Sequence, residues 1–173
     1  MHDPTLHMRR TVDPAYRWSP RLATVDDAAD VAGLLDDFNS EFDTPTPGRA
    51  VLADRLRALL ARDATFAIVA GTPAEAVALV TLRTNVWYSG DVALLDEMYV
   101  APELRGRGIG SAIMQQLISI STERRVELIE INVDEGDVDA QRFYERHGFS
   151  STEAGSTERA LYYSREISSG LEP

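Results

Sequence analysis

The chain has 173 residues, 44% of them apolar, which is enough for one domain with a full core. Its formal net charge of −11 argues against nucleic acid and anionic membranes as partners, because both require a basic face. With no cysteine there is no disulfide, thiolate nucleophile or cysteine metal cluster, and with no lysine there is no Schiff-base chemistry.

Residues 1–18, with Pro4, Arg9, Arg10 and Pro14 and no apolar run, read as a loose extension rather than a signal peptide. Ser19 to Ala23 is a candidate first strand. Thr24-Val25-Asp26-Asp27 has the spacing of a capping box, with Asp in place of Glu, and leads into a helix with Val31, Leu34, Leu35 and Phe38 on one face. Between Leu22 and Gly48 stand seven acids, Asp26, Asp27, Asp30, Asp36, Asp37, Glu41 and Asp43, and no basic residue. Arg49 to Ala61 reads as a second amphipathic helix. Thr65 to Ala70 and Ala76 to Thr84 read as strands joined by a Gly71-Thr72-Pro73 turn, and Trp87-Tyr88-Ser89-Gly90 makes the connection to Leu94 to Val100, the next strand.

That strand runs through Ala101-Pro102 into Arg105-Gly106-Arg107-Gly108-Ile109-Gly110-Ser111, and a helical pattern follows with Ile109, Ile113, Leu117 and Ile120 on one face. Alternate glycines let successive backbone N–H groups converge on one point, and the helix adds its positive dipole end and unpaired first-turn donors. A diphosphate suits such a cradle. A Walker loop would need a lysine, and a dinucleotide fingerprint would need G-x-G-x-x-G; what stands here is R-x-x-G-x-G.

Val126 to Val133 alternates as a strand, and Asp134 to Phe149 follows as DEGDVDAQRFYERHGF. Asp137 is a candidate N-cap, Ala140, Phe143 and Tyr144 fall at helical spacing, and Gly148 ends the helix. Arg159 to Ile167 reads as a closing strand, and 168–173 as a tail. His2, His7 and His147 are too few and too scattered for a zinc site or a histidine triad, and His147 fits a helix C-terminus. No metal is expected. No stretch approaches the ~20 apolar residues of a membrane span, and a cytoplasmic protein is expected.

Together the two motifs make residues 19–167 resemble the GNAT superfamily of acyl-CoA-dependent N-acetyltransferases. Arg105, Gly108 and Gly110 match its (Gln/Arg)-x-x-Gly-x-(Gly/Ala) motif, and Ala140, Tyr144, Glu145, Gly148 and Phe149 match its Asn-x-x-Ala-x-x-x-Tyr-Glu-x-x-Gly-Phe motif. Asp137 departs from the family's asparagine: it can accept a hydrogen bond but cannot donate one. The resemblance implies a single α/β (α+β) domain whose mixed, mostly antiparallel sheet has helices on both faces and splays between its fourth and fifth strands. It implies acetyl-CoA as acyl donor, bound by main-chain groups of Met98, Tyr99 and Val100 and by the cradle from Arg105 through Ser111. Asp137, Ala140, Phe143 and Arg146 of the last helix would add to that site, with Arg142 and Arg146 one turn apart near the 3′-phosphate.

In the implied reaction an amine attacks the thioester directly in a ternary complex. Tyr144 is the candidate acid toward the departing thiolate, since its phenol is neutral at physiological pH. Glu97 is the candidate base, acting directly or through a water, and strand alternation would turn its neighbour Asp96 to the opposite face. The acids Asp36, Asp37, Glu41 and Asp43, with Asp134 and its acidic neighbours, would border the acceptor cleft and favour a cationic amine, polyamine- or aminoglycoside-like. Two further readings stay open: a protein or peptide N-terminal acetyltransferase, and a non-catalytic acyl-CoA-binding regulatory domain. A homodimer is compatible with all three.

Overall fold

The computed structural model describes residues 18–152, 155–159 and 161–165. The expected extension, up to residue 17, and the tail 168–173 lie outside them. The described residues form two compact units, the first ending at Ile131 and the second beginning at Asn132.

In the first unit, β1 (Arg21–Leu22), β2 (Thr65–Ala70), β3 (Ala76–Arg83), β4 (Val92–Val100) and β5 (Leu128–Ile131) lie side by side in chain order. Pairing is antiparallel through β4, and β5 runs parallel to β4. A parallel pair needs a crossover, and α3 (Ile109–Glu123) supplies it. Helices α1 (Ala28–Glu41) and α2 (Arg49–Leu60) cover one face: Val31, Leu34, Leu35, Ala53 and Leu56 pack into one cluster with Ala67, Val69, Val77 and Tyr99. Alternation leaves Phe66 and Ile68 to the opposite face, where α3 packs on β2, β3 and β4 with Ile113, Met114 and Leu117 fully buried. Covering both faces explains why every residue of β2 is buried and why its sequence is a continuous apolar run after Thr65.

The entry to α1 is fixed by Asp27. Its carboxylate accepts from Thr24 N at 2.7 Å and Thr24 Oγ1 at 3.0 Å, and Arg21 grips it with two bonds of 2.8 and 2.6 Å. The Arg21 bonds, and then those from Thr24, hold the Asp27 carboxyl well below the usual range. At the other end of the sheet, Gly90 N donates to Glu127 Oε1 at 2.6 Å and Glu127 N donates to Asp91 O at 2.9 Å, so the connection before β4 is tied to the one before β5.

Two features of β4 position the site. Its pairing with β3 shifts register between Leu79 and Val80, opposite Glu97 and Leu95, which makes Asp96 the extra residue of a bulge. Its pairing with β5 stops at Leu95↔Ile131, so from Asp96 to Val100 the strand has no ladder partner on that side among the described residues. This is the splay expected between the fourth and fifth strands. Strict alternation at Asp96 and Glu97 does not survive the bulge.

In the second unit, α4 (Val138–Arg146) is capped by Asp137, whose Oδ1 accepts from Ala140 N at 2.9 Å, and it ends at Gly148, with φ 89°. Beyond it the expected closing strand, Arg159 to Ile167, is corrected. Its described residues, 159 and 161–165, form no strand, and the one ladder contact there is an isolated antiparallel bridge between Thr152 and Arg159. Among the described residues no neighbouring strand supplies a ladder for this segment, and Leu161, Tyr162 and Tyr163 are correspondingly exposed. Residues 160, 166 and 167 lie outside the described set.

Candidate active site

The loop after β4 begins with a short 3₁₀ turn, Pro102–Leu104, anchored by the buried Leu104. Gly106 and Gly108 then take positive φ, 74° and 81°, and a Cβ on either would meet open space rather than protein. The glycines are therefore required by backbone conformation, not by lack of room. Gly108 is also the N-cap of α3 and contributes no side-chain cap. Among the described residues no acceptor is found for the N–H groups of Gly106, Arg107, Gly108, Ile109, Gly110 or Ser111, and the first bond of the helix is Ala112 N to Gly108 O at 2.9 Å. A run of unsatisfied donors at a helix N-terminus fits a bound diphosphate. Ile109 is buried under the loop, so its main chain can serve the ligand while its side chain serves the core.

Met98, Tyr99 and Val100 lie on the unpaired edge of β4, with one side hydrogen-bonded to β3 at Ala78, Val77 and Ala76. The expected main-chain binding groups are thus on a free edge leading directly into the cradle. Tyr99 is buried, its ring 5.4 Å from that of Phe38 on α1.

Glu97 is half-buried on the same stretch. Burial, and then the charge of Asp96, push its carboxyl above the ordinary glutamate value. Burial likewise raises Asp96, partly offset by the hydroxyl of Thr81, which donates to its Oδ2 at 2.6 Å. Two neighbouring carboxylates, one already satisfied by a hydroxyl, leave Glu97 the freer proton acceptor.

The acids of α1 are less available than their sequence suggested. Asp36 accepts from Thr46 Oγ1 at 2.8 Å and from Arg49 Nε at 3.0 Å, and Asp37 pairs with Arg49 as well. Glu41 is held by Arg105 through two bonds of 2.7 and 2.6 Å. Asp43 is exposed just past the helix, in a left-handed conformation with φ 52° that aspartate tolerates better than most residues, and it carries no ion pair among the described residues. Arg49 and Arg105 as the partners of these acids were not read from sequence; both lie outside the acidic stretch, so only the fold brings them in.

In the second unit, Tyr144 is half-buried on α4, with its ring 5.2 Å from Phe143 and 5.7 Å from Phe149. Phe143 also stacks on His147 at 4.5 Å, and the His147 ring hydrogen-bonds the Phe143 carbonyl at 2.9 Å, which gives this histidine a structural place at the helix end. Asp137 is spent in part on capping, Ala140 donates its N–H to that cap, and Arg146 is exposed. Arg142 lies 3.8 Å from Asp139. Asp134 offers its carbonyl to Gln141 Nε2 at 3.0 Å, and Glu135 pairs with Arg159. Among the described residues no cluster of histidine and acidic side chains could hold a metal ion, and no helix is long and apolar enough to cross a membrane.

The profile of the Acetyltransferase (GNAT) family matches residues 31–149. An uncharacterized N-acetyltransferase from Archaeoglobus fulgidus is 34% identical over 103 residues, covering 57% of this chain and 69% of that protein. Among solved structures, a protein from Arthrobacter sp. FB24, an acetyltransferase by assignment, superimposes with a TM-score of 0.82 at 49% identity, covering 90% of this chain and all of that one. An aminoglycoside acetyltransferase from an uncultured soil metagenomic sample, solved with sisomicin, shares the fold at a TM-score of 0.72 and 16% identity, covering 90% of this chain and 100% of that one. With its sheet order, its β4–β5 splay, its glycine cradle and these matches, the chain belongs to the GNAT family of acetyltransferases.

Proposed function

We propose that the protein transfers an acetyl group from acetyl-CoA to a primary amine carried by a cationic small molecule. The observation that carries the donor half is the run of N–H groups from Gly106 to Ser111 with no acceptor among the described residues, continuous with the β4 edge beyond its pairing with β5. Those donors, with Arg107, hold the diphosphate, and the main chain of Met98 to Val100 lines the pantetheine and thioester. Acetyl-CoA would supply the activated acetyl thioester. Main-chain donors polarise a carbonyl placed against the β4 edge, and positioning contributes most of the acceleration, since a neutral amine is already nucleophilic. Glu97, raised above the usual carboxylate value, takes the proton of the amine directly or through a water. Tyr144 returns a proton to the leaving thiolate; this role rests on its place in the sequence motif.

The cationic acceptor rests on the acidic stretch from Asp26 to Asp43 and on Asp134 with its neighbours. Since arginines pair with Asp36, Asp37 and Glu41, Asp43 is, of the four acids assigned to the acceptor there, the one without an ion pair among the described residues. The aminoglycoside enzyme resembles this chain in fold alone and does not choose the acceptor. Purified protein, acetyl-CoA and a thiol reagent, screened against polyamines, aminoglycosides, amino acids and peptides, test the reading. Thiol release with polycationic amines supports it. Release with peptide N-termini only would replace the acceptor class, and no release with any amine would favour a binding domain.

A further inference from the structure

Glu41 is the last residue of α1, where a carboxylate faces the negative end of the helix dipole, an unfavourable place for it without a cation. Arg105 provides that cation. Its Nη1 and Nη2 donate to the two oxygens of Glu41 at 2.7 and 2.6 Å, its Nε donates to the Val100 carbonyl at 3.0 Å, and its guanidinium carbon lies 5.6 Å from the centre of the Tyr99 ring. Every nitrogen of the guanidinium is engaged within the protein, and the pair pushes the Arg105 pKa up and the Glu41 pKa down. Arg107, two residues on, is exposed and has no ion pair among the described residues. The two arginines of the loop are therefore not equivalent: Arg105 is bonded to protein through Glu41 and Val100, while Arg107 carries no ion pair among the described residues.

We infer that Arg105 and Glu41 are positioning residues for the acyl donor, a bidentate pair that fixes the first residue of the diphosphate loop to the end of α1 and to the last carbonyl of β4. The inference rests on the loop's reading as the acetyl-CoA site and adds that Arg105 does not itself meet the diphosphate. Holding Arg105 sets where the positive-φ turn at Gly106 begins, and so where the following N–H groups point. A fork of two parallel bonds fixes orientation as well as distance, which a single point charge cannot do.

This predicts a sign opposite to simple electrostatics. If Glu41 acted only as one more negative charge in an acidic protein, removing it would leave CoA binding unchanged or strengthen it. If it positions the loop, removing it weakens binding. Calorimetric titration of CoA into the wild type, Glu41→Gln, Arg105→Lys and Arg49→Gln reads the difference. Arg49→Gln is the control, because Arg49 also pairs with acids of α1 but does not touch the loop.

Glu41→Gln and Arg105→Lys should each raise the Kd of CoA about tenfold, equivalent to about 1.4 kcal/mol. The KM for acetyl-CoA should rise with it. Arg49→Gln should leave the Kd within about twofold. Melting curves without ligand keep a loss of fold apart from a loss of binding, and Glu41→Asp, which keeps the charge but shortens the reach, serves should Glu41→Gln not fold. CoA binding by Glu41→Gln equal to or tighter than wild type would overturn the inference, as would equal weakening in Arg49→Gln. Absence of CoA binding by the wild type would instead overturn the reading of the loop, and the inference with it.

Discussion

Thr81 donates its hydroxyl to Asp96 at 2.6 Å across β3 and β4, at the bulge that makes Asp96 the extra residue of its strand. The bond satisfies one of two adjacent carboxylates and leaves Glu97 raised by burial and by the charge beside it. Since its folded pKa exceeds its unfolded one, Glu97 favours folding when protonated. That stability is complete below the unfolded value of about 4.3 and is lost as pH rises through the folded value. Glu97→Gln should therefore melt higher than wild type at pH 7, with the gap closing toward pH 4. If Glu97 is the base, the same variant should lose about 100-fold or more in kcat, and the acid limb of the wild-type kcat/KM profile should lie above the ordinary glutamate range. Unchanged turnover at every pH would remove Glu97 from the chemistry.

Tyr144 is distinguished from its packing neighbours by its hydroxyl. Tyr144→Phe keeps the ring contacts with Phe143 and Phe149. Turnover should fall about 100-fold or more with CoA affinity little changed, if proton delivery to the thiolate limits the rate. Equal turnover would leave Tyr144 a packing residue.

Gly90 tests the tie between the two connections. A Cβ there would stand 2.1 Å from the Arg125 carbonyl oxygen, and backbone must move to admit it. Gly90→Ala should destabilise the protein by on the order of 3 kcal/mol, measured by urea unfolding, whereas Gly136→Ala, where nothing lies within 4 Å, should cost far less.

Exposed charges are screened over about 8 Å at physiological ionic strength, so binding of a polycationic acceptor should depend on salt. If Asp43 and Asp134 attract a polycation, Asp43→Asn and Asp134→Asn should raise the acceptor KM, and added salt should do the same. The αL position of residue 43 suits asparagine as well as aspartate, so the substitution should leave the backbone in place. A KM indifferent to salt and to both substitutions would remove the polycation reading while leaving the acetyltransferase assignment intact.

The sequence was most informative where a short-range rule decides the outcome. The Thr24–Asp27 spacing forms the capping interaction, Asp137 caps α4, Gly148 ends it, and β2 spans the residues its apolar run marks. Partnerships between distant residues were hidden: Arg105 with Glu41, Arg49 with Asp36 and Asp37, Gly90 with Glu127. The bulge at Asp96 was invisible too, because it depends on how β3 pairs and leaves no mark in the pattern of β4. Hence the glycine turn and helix start after β4, a local motif, could be read from the chain, while the acids assigned to the acceptor could not be separated into free and engaged.

The loop from Arg105 to Ser111 is proposed to bind the diphosphate of acetyl-CoA through N–H groups that have no acceptor among the described residues. Calorimetric titration of CoA into the wild type and into Gly108→Asp tests it most directly. At Gly108, with φ 81°, an aspartate would force a side chain into a left-handed cap and set a negative charge beside the donors. Saturable binding by the wild type, with a ligand-dependent rise in melting temperature, and at least about 100-fold weaker binding by a folded Gly108→Asp are the predicted results. No binding of CoA or any short acyl-CoA by the wild type, or equal binding by the variant, would contradict the account.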